Sequence, residues 1–250
     1  MLMLTVHQFA CLSDNYGFLV RDEATGKTAA IDTPDADAIL REMRTLGWSL
    51  DLILNTHWHP DHAGGNAALQ AATGAAIVGP AEVARLGAAP DRVVADGEHV
   101  MLGETRFEVI DVGGHTLGHI AYWDAADQIA FVGDAIFAMG CGRMFEGDPE
   151  QFWASLSRLA ALPDEAVLYC AHEYTAANAL FALAMDSSPA VAARAAHVFD
   201  QRERGEPTVP TTVAQEKATN PFLRAPVLIP GLAPAQAFAR MRSAKDDFRG

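Results

Sequence analysis

Short runs of alternating or continuous apolar residues fill the first two thirds of the chain, and helical spacing takes over after about residue 173. Leu4 to Phe9, Phe18 to Val20 and Thr28 to Ile31 read as strands, separated by Ser-Asp-Asn and Ala-Thr-Gly turn signals. Thr33-Pro34 opens a helix expected to run to Leu46, with proline in its first turn and Gly47 closing it. Asp51 to Asn55 is short and almost wholly apolar, as suits a strand covered on both faces. A helix follows from about Gly64-Gly65-Asn66. Further strands are expected at Ala76 to Val78, Glu98 to Met101, Arg106 to Ile110, His119 to Trp123, Gln128 to Val132 and Ala166 to Cys170. Asp148-Pro149-Glu150-Gln151 has a capping-box pattern and begins a helix to about Ala160. Beyond Glu173 the spacing predicts helices over Tyr174 to Met185, Pro189 to Arg204 and Pro234 to Lys245, with irregular links at 205–210 and 226–234. The pattern is that of an α/β domain over 1–172 and an all-helical one over 173–250.

Composition narrows the partners. Half of the 250 residues are hydrophobic and a fifth are charged, which describes a packed globular chain. The net charge of −14 argues against nucleic acid or an anionic membrane as the main partner, since polyphosphate binding needs a basic face. It leaves room for a small anionic substrate held by a local cluster of cations. Cys11, Cys141 and Cys170 are an odd number without framework spacing, which fits reduced thiols in a cytoplasmic protein. The Met-Leu-Met-Leu start shows no leader pattern, and no apolar run is long enough to span a bilayer.

Chemistry concentrates directly after the Asp51–Asn55 strand. His57, His59, Asp61 and His62 place four potential metal ligands within six positions. Three more candidates follow predicted strands: His115 after Val112-Gly113-Gly114, Asp134 after Phe131-Val132-Gly133, and His172 after Cys170-Ala171. Strand ends are rigid at the base and exposed at the tip, a suitable place for ligands. Imidazoles with carboxylates, and no cysteine, suit Zn²⁺, Fe²⁺ or Mn²⁺. His119 reads as a packing residue or one that orients a ligand, rather than a ligand itself; His7, His99 and His197 have no partnering pattern and read as structural or exposed.

These motifs resemble the metallo-β-lactamase superfamily, and within it the glyoxalase II (hydroxyacylglutathione hydrolase) family. The resemblance spans nearly the whole chain. It rests on Asp14-Asn15-Tyr16, Asp32, Thr56 to His62, Gly114-His115-Thr116 and Gly133-Asp134, on Gly140 to Gly147, and on His172-Glu173-Tyr174-Thr175 and Asn220 to Arg224. It implies an αββα sandwich followed by a small helical domain that binds glutathione. It implies two divalent ions, one on His57, His59 and His115, the other on Asp61, His62 and His172, with Asp134 and a hydroxide bridging them. Asp134 and Asp61 then carry the catalytic roles, and Asp32 orients the histidine loop without touching metal.

Two ions sharing a water supply a hydroxide near neutral pH and polarise a carbonyl, so an acyl bond is hydrolysed without a protein nucleophile. No Gly-x-Ser-x-Gly elbow is present. Tyr174 and Asn178 stand four apart, Arg242 and Lys245 three apart, and Arg143 follows Asp134, so cationic and polar groups can converge on a carboxylate-bearing substrate. The resemblance assigns Arg143, Phe145, Tyr174, Asn178, Arg242 and Lys245 to glutathione. Phe145 stands where some relatives carry tyrosine, and Ala135 where threonine is common. The expected reaction is hydrolysis of S-D-lactoylglutathione to glutathione and D-lactate by a monomer. The alternative is an iron-dependent persulfide dioxygenase on the same fold; a β-lactamase would leave the helical extension unexplained.

Overall fold

The structure, a computed structural model, describes residues 3–249; the Met1-Leu2 start of the leader reading lies outside them. By packing the chain forms two compact units, Met1–Asp111 with Gly118–Gly133, and Val112–Leu117 with Asp134–Gly250.

In the first unit β1 (Leu4–Cys11), β2 (Asn15–Asp22) and β3 (Thr28–Ile31) run antiparallel, and β3 continues in parallel into β4 (Leu52–Leu54), β5 (Ala76–Gly79) and β6 (Arg92–Val93). β2 is longer than its apolar run predicts, because its full length pairs with β1 from Cys11 opposite Asn15 to Leu4 opposite Asp22. Helices α1 (Ala36–Leu46), α2 (Pro60–Ala63) and α3 (Asn66–Thr73) belong to this unit, as does a 3-10 turn over Ala81–Leu86. Ile39 and Met43 of α1 and Leu69 of α3 pack with Leu19, Ala30, Ile53 and Ile77 of the strands.

A second, antiparallel set comprises β7 (His99–Leu102), β8 (Thr105–Asp111), β9 (Ile120–Asp124) and β10 (Ile129–Gly133). The two sets face each other as a sandwich. Phe18 meets Phe131 with ring centroids 5.7 Å apart, and the Tyr122 hydroxyl donates to the Asn55 carbonyl at 2.9 Å. That bond satisfies a polar group that apolar burial would otherwise penalise.

Two expectations are corrected here. Helix α1 begins at Ala36, with Asp35 capping the Ala38 N–H, so Pro34 lies outside it. Thr33 is instead committed to the histidine loop: its N–H donates to the His62 carbonyl at 2.7 Å. The loop is itself partly helical, since α2 covers Pro60–Ala63 before α3 starts at Asn66.

The second unit holds a two-strand hairpin of β11 (Ile136–Phe137) and β12 (Gly140–Cys141), then α4 (Pro149–Ala160) and β13 (Val167–Cys170). There follow α5 (Thr175–Met185), α6 (Pro189–Glu203), β14 (Thr211–Thr212), α7 (Val213–Thr219), α8 (Ala225–Leu228) and α9 (Pro234–Asp247). The capping box expected at α4 is half formed. Asp148 accepts from the Gln151 N–H at 2.8 Å, while the Gln151 side chain donates to the Leu117 carbonyl at 3.4 Å.

Position 172/173 falls inside this unit. Phe152 of α4 packs on Phe238 of α9 at 5.4 Å, and Val167 of β13 pairs with Thr212 of β14. Phe222 also reaches Phe238, at 6.2 Å, so an aromatic cluster centres on α9. Phe238 is fully buried, and Phe238→Ala should lower the unfolding free energy by about 3–5 kcal/mol, measured by urea denaturation.

Candidate metal centre

In the first unit, β4 ends at Leu54 and the chain turns through Asn55 and Thr56 into the histidines. Asp32 follows β3 in the left-handed region, at φ 57°. Its carboxylate accepts from the Thr56 N–H and the Thr56 hydroxyl, both at 2.7 Å, and His62 Nδ1 lies 2.8 Å away. A carboxylate so placed has only acceptor capacity, so His62 carries its proton on Nδ1. The Thr56 hydroxyl proton is spent on Asp32, so His57 Nδ1, 3.0 Å from that oxygen, must donate. Both rings therefore keep Nε2 as the lone-pair nitrogen.

Donor atoms of Asp32, His57 and His62 fall within 4.8 Å of one another. Asp32 is nevertheless already saturated by Thr56 and His62, and its chemistry is that of an orienting group. His57 Nε2 faces His59 Nδ1 at 3.1 Å, and Asp61 Oδ2 lies 3.5 Å from His62 Nε2. Facing nitrogens at that distance need a shared proton or cation between them. His57 is fully buried and stacked on His119, with centroids 4.5 Å apart and an 18° tilt, so His119 fixes the ring by packing.

In the sequence Asn15 belongs to the Asp14-Asn15-Tyr16 motif. Its amide donates to Asp61 Oδ2 at 3.2 Å and so orients a ligand candidate. Nothing local in Asn15 signals this; the partner is 46 residues away.

In the second unit, His115, Asp134 and His172 come together. His115 Nδ1–H donates to the Arg143 carbonyl at 2.7 Å, leaving Nε2 3.3 Å from Asp134 Oδ2. His172 Nε2 lies 3.3 Å from the other oxygen, Asp134 Oδ1. Two imidazoles thus address opposite oxygens of one carboxylate, the geometry a bridging ligand requires. All three side chains are buried. His172 is stacked on Tyr174 at 4.7 Å with a 3° tilt. Gly142 is packed against two of the three: a Cβ there would stand 2.1 Å from the Asp134 carbonyl oxygen and 3.0 Å from His115 Nδ1. Each unit therefore offers imidazoles and carboxylates, with the second nitrogen of His57, His62 and His115 committed elsewhere, a donor set that fits borderline divalent ions.

All six residues expected at glutathione, Arg143, Phe145, Tyr174, Asn178, Arg242 and Lys245, line one cavity of about 470 Å³ that also reaches His115 and Asp134. Their tasks differ. Arg242 is 5% exposed, and its Nη1 donates to the Cys141 carbonyl at 3.1 Å while Nη2 donates to Asp246 at 2.9 Å. Asn178 donates to the Ala138 carbonyl at 3.1 Å. Arg143 and Phe145 are exposed, and Phe145 meets the His115 ring edge-on at 5.3 Å. Burial, and then the Arg242 and Arg143 charges, hold the Lys245 ammonium below the ordinary lysine range.

The thiols offer no nucleophile: burial pushes Cys141 up to about 11, and Cys11 and Cys170 up to about 12. His99 and His197 are exposed, and His7 pairs with Glu42 at 3.0 Å.

The chain belongs to the metallo-beta-lactamase superfamily, whose model matches residues 18–172. The model of the hydroxyacylglutathione hydrolase C-terminus matches residues 173–248. Within the superfamily the chain is a member of the hydroxyacylglutathione hydrolases. It is 56% identical to the hydroxyacylglutathione hydrolase of Erythrobacter litoralis over 98% of this chain and 100% of that one. Among solved structures it is similar to ETHE1 from Myxococcus xanthus, at 27% identity and a TM-score of 0.72, covering 98% and 92% of the two chains. It is also similar to TTHA1623 in a di-iron-bound form, at 26% identity and a TM-score of 0.62, covering 88% and 100%.

The fit of Gly142 yields a direct test. Gly142→Ala should lower metal bound per chain, with affinity down roughly ten-fold or more and the fold retained, as read by elemental analysis and circular dichroism.

Proposed function

We propose that this chain hydrolyses the thioester of S-(2-hydroxyacyl)glutathione, S-D-lactoylglutathione foremost, releasing glutathione and a 2-hydroxy acid such as D-lactate in methylglyoxal detoxification. The observation that carries the reading is the cavity in which Arg143, Tyr174 and Lys245 adjoin His115 and Asp134. Membership of the hydroxyacylglutathione hydrolases supports the same substrate.

In this reading His57, His59 and His115 would hold one divalent ion, Asp61, His62 and His172 would hold a second, and Asp134 would serve both. Zinc is the first choice, with iron or manganese as alternatives; the di-iron form described for TTHA1623 supports the paired arrangement. Such ions, when bound, lower the pKa of a shared water and polarise the thioester carbonyl. The protein's own groups do the rest. Asp134 orients the attacking water and takes its proton at a carboxylate oxygen, and Asp61 supports the same site. Arg143 and Lys245 meet the glutathione carboxylates as charge-assisted donors, and Phe145 and Tyr174 cover its apolar stem. Arg242 and Asn178 shape the wall on which those groups stand. The leaving thiolate needs little acid assistance.

We assign residues 1–172 to catalysis and 173–250 to glutathione binding, with Arg143 and Phe145 reaching the substrate from the first segment, in a monomeric cytoplasmic enzyme. Among the described residues no helix is long and apolar enough to cross a membrane.

Purified chain with S-D-lactoylglutathione should lose thioester absorbance, and chelator should abolish the loss. His62→Ala should bind one metal equivalent fewer. Full activity in chelator would overturn the metal mechanism. Inactivity toward glutathione thioesters with two ions bound would overturn the substrate, and one bound iron with oxygen uptake would favour the dioxygenase.

Lys245 adds a pH signature. Because its pKa is lowered, its charge is lost as pH rises through values below the ordinary lysine range. KM should climb over that interval, and Lys245→Arg should flatten the climb, since guanidinium stays charged.

A further inference from the structure

Glu216 of α7 is a fully buried carboxylate that the chemistry above does not use. Four donors converge on it. Oε1 accepts from Arg194 Nη2 at 2.5 Å and from the Thr211 hydroxyl at 2.6 Å. Oε2 accepts from Asn220 Nδ2 at 2.8 Å and from the backbone N–H of Met139 at 2.9 Å. Only a carboxylate can receive all four: a glutamine would present its own N–H groups to two of them. Arg194 compensates the charge, which makes the burial tolerable.

Met139 is the informative partner. It lies in the turn of the β11–β12 hairpin, fully buried, at φ 57°. A non-glycine residue in the left-handed region persists where its surroundings over-determine it. Here they do so residue by residue. Asn220 Nδ2 also donates to the Gly140 carbonyl at 2.8 Å and to the Phe137 carbonyl at 3.3 Å, and Asn178 holds the Ala138 carbonyl. Phe137, Ala138, Met139 and Gly140 each surrender a backbone group to a side chain from α5, α7 or its C-cap. This hairpin follows Asp134 and leads into Cys141, Gly142 and Arg143, which wall the cavity.

We propose that Glu216, acting with Asn220, is a positioning residue for thioester hydrolysis: it sets the hairpin and thereby the wall that grips the glutathione moiety. The proposal rests on the substrate reading above. It places a determinant of substrate affinity on a helix that contributes nothing to the cavity lining.

The test compares Glu216→Gln and Asn220→Ser with Leu159→Ala, a fully buried position of α4, a helix of the same unit that packs chiefly on α9. Glu216→Gln and Asn220→Ser should each raise KM for S-D-lactoylglutathione roughly five-fold. They should leave kcat within about two-fold and metal content unchanged, since the ligand side chains are intact. Calorimetric titration with glutathione should weaken in parallel, which reads the wall independently of turnover. Leu159→Ala should lose thermal stability and keep KM. The proposal is overturned if both variants keep wild-type KM and glutathione affinity, if Leu159→Ala raises KM equally, or if metal and kcat fall while KM holds. Asn220→Ser decides it alone should Glu216→Gln fail to fold. Wild-type inactivity toward the thioester sinks the substrate reading instead, and the glutathione titration still judges the hairpin.

Discussion

An imidazole can present a lone pair in a fixed direction only when its other nitrogen is committed elsewhere, and this chain commits three of them. His62 gives its Nδ1 proton to Asp32, His57 to the Thr56 hydroxyl and His115 to the Arg143 carbonyl. Each commitment selects the same tautomer and leaves Nε2 for a cation. Asp32 is itself anchored, by two donors from Thr56 just after β4. Sheet, loop and ligand are thus one mechanical chain, and its stiffness comes from hydrogen bonds buried where water cannot compete for them.

The electrostatics work by local concentration against a contrary background. A net charge of −14 would repel a substrate with carboxylates, yet Arg143, Arg242 and Lys245 stand around one cavity. Arg242 is mostly a builder, its guanidinium shared between a loop carbonyl and Asp246, and its face laid on Phe222 at 4.8 Å. Lys245 is held by the Ala177 carbonyl, and burial beside like charges strains its ammonium form. The cost of crowding cations is met by packing, which is why aromatic side chains gather under α9.

The hairpin of β11 and β12 shows how a short element without a core of its own is made specific. Two residues per strand give little pairing, so its shape is dictated by side chains that arrive from elsewhere. Glu216 and Asn220 supply that dictation through backbone groups, which leaves the side chains of Phe137 and Cys141 to face the cavity.

The residues alone determined the alternation of strands and helices, the ligand-rich turn at His57 to His62, and the later His and Asp at strand ends, because these are local patterns of spacing and polarity. Resemblance supplied their grouping and the six cavity residues. Short elements such as β6, β14, α7 and α8 were invisible, since each is too brief to carry a period and exists by virtue of its neighbours. The extra length of β2, the shifted start of α1 and the helical turn within the histidine loop were equally beyond local reading. Only the folded chain decided that Asn15 turns Asp61, that Arg242 braces a loop, and that Glu216 governs a hairpin 77 residues before it. The reason is physical: a hydrogen bond is specified by where two groups meet in space, and separation along the chain leaves no trace of that meeting in either group's neighbours.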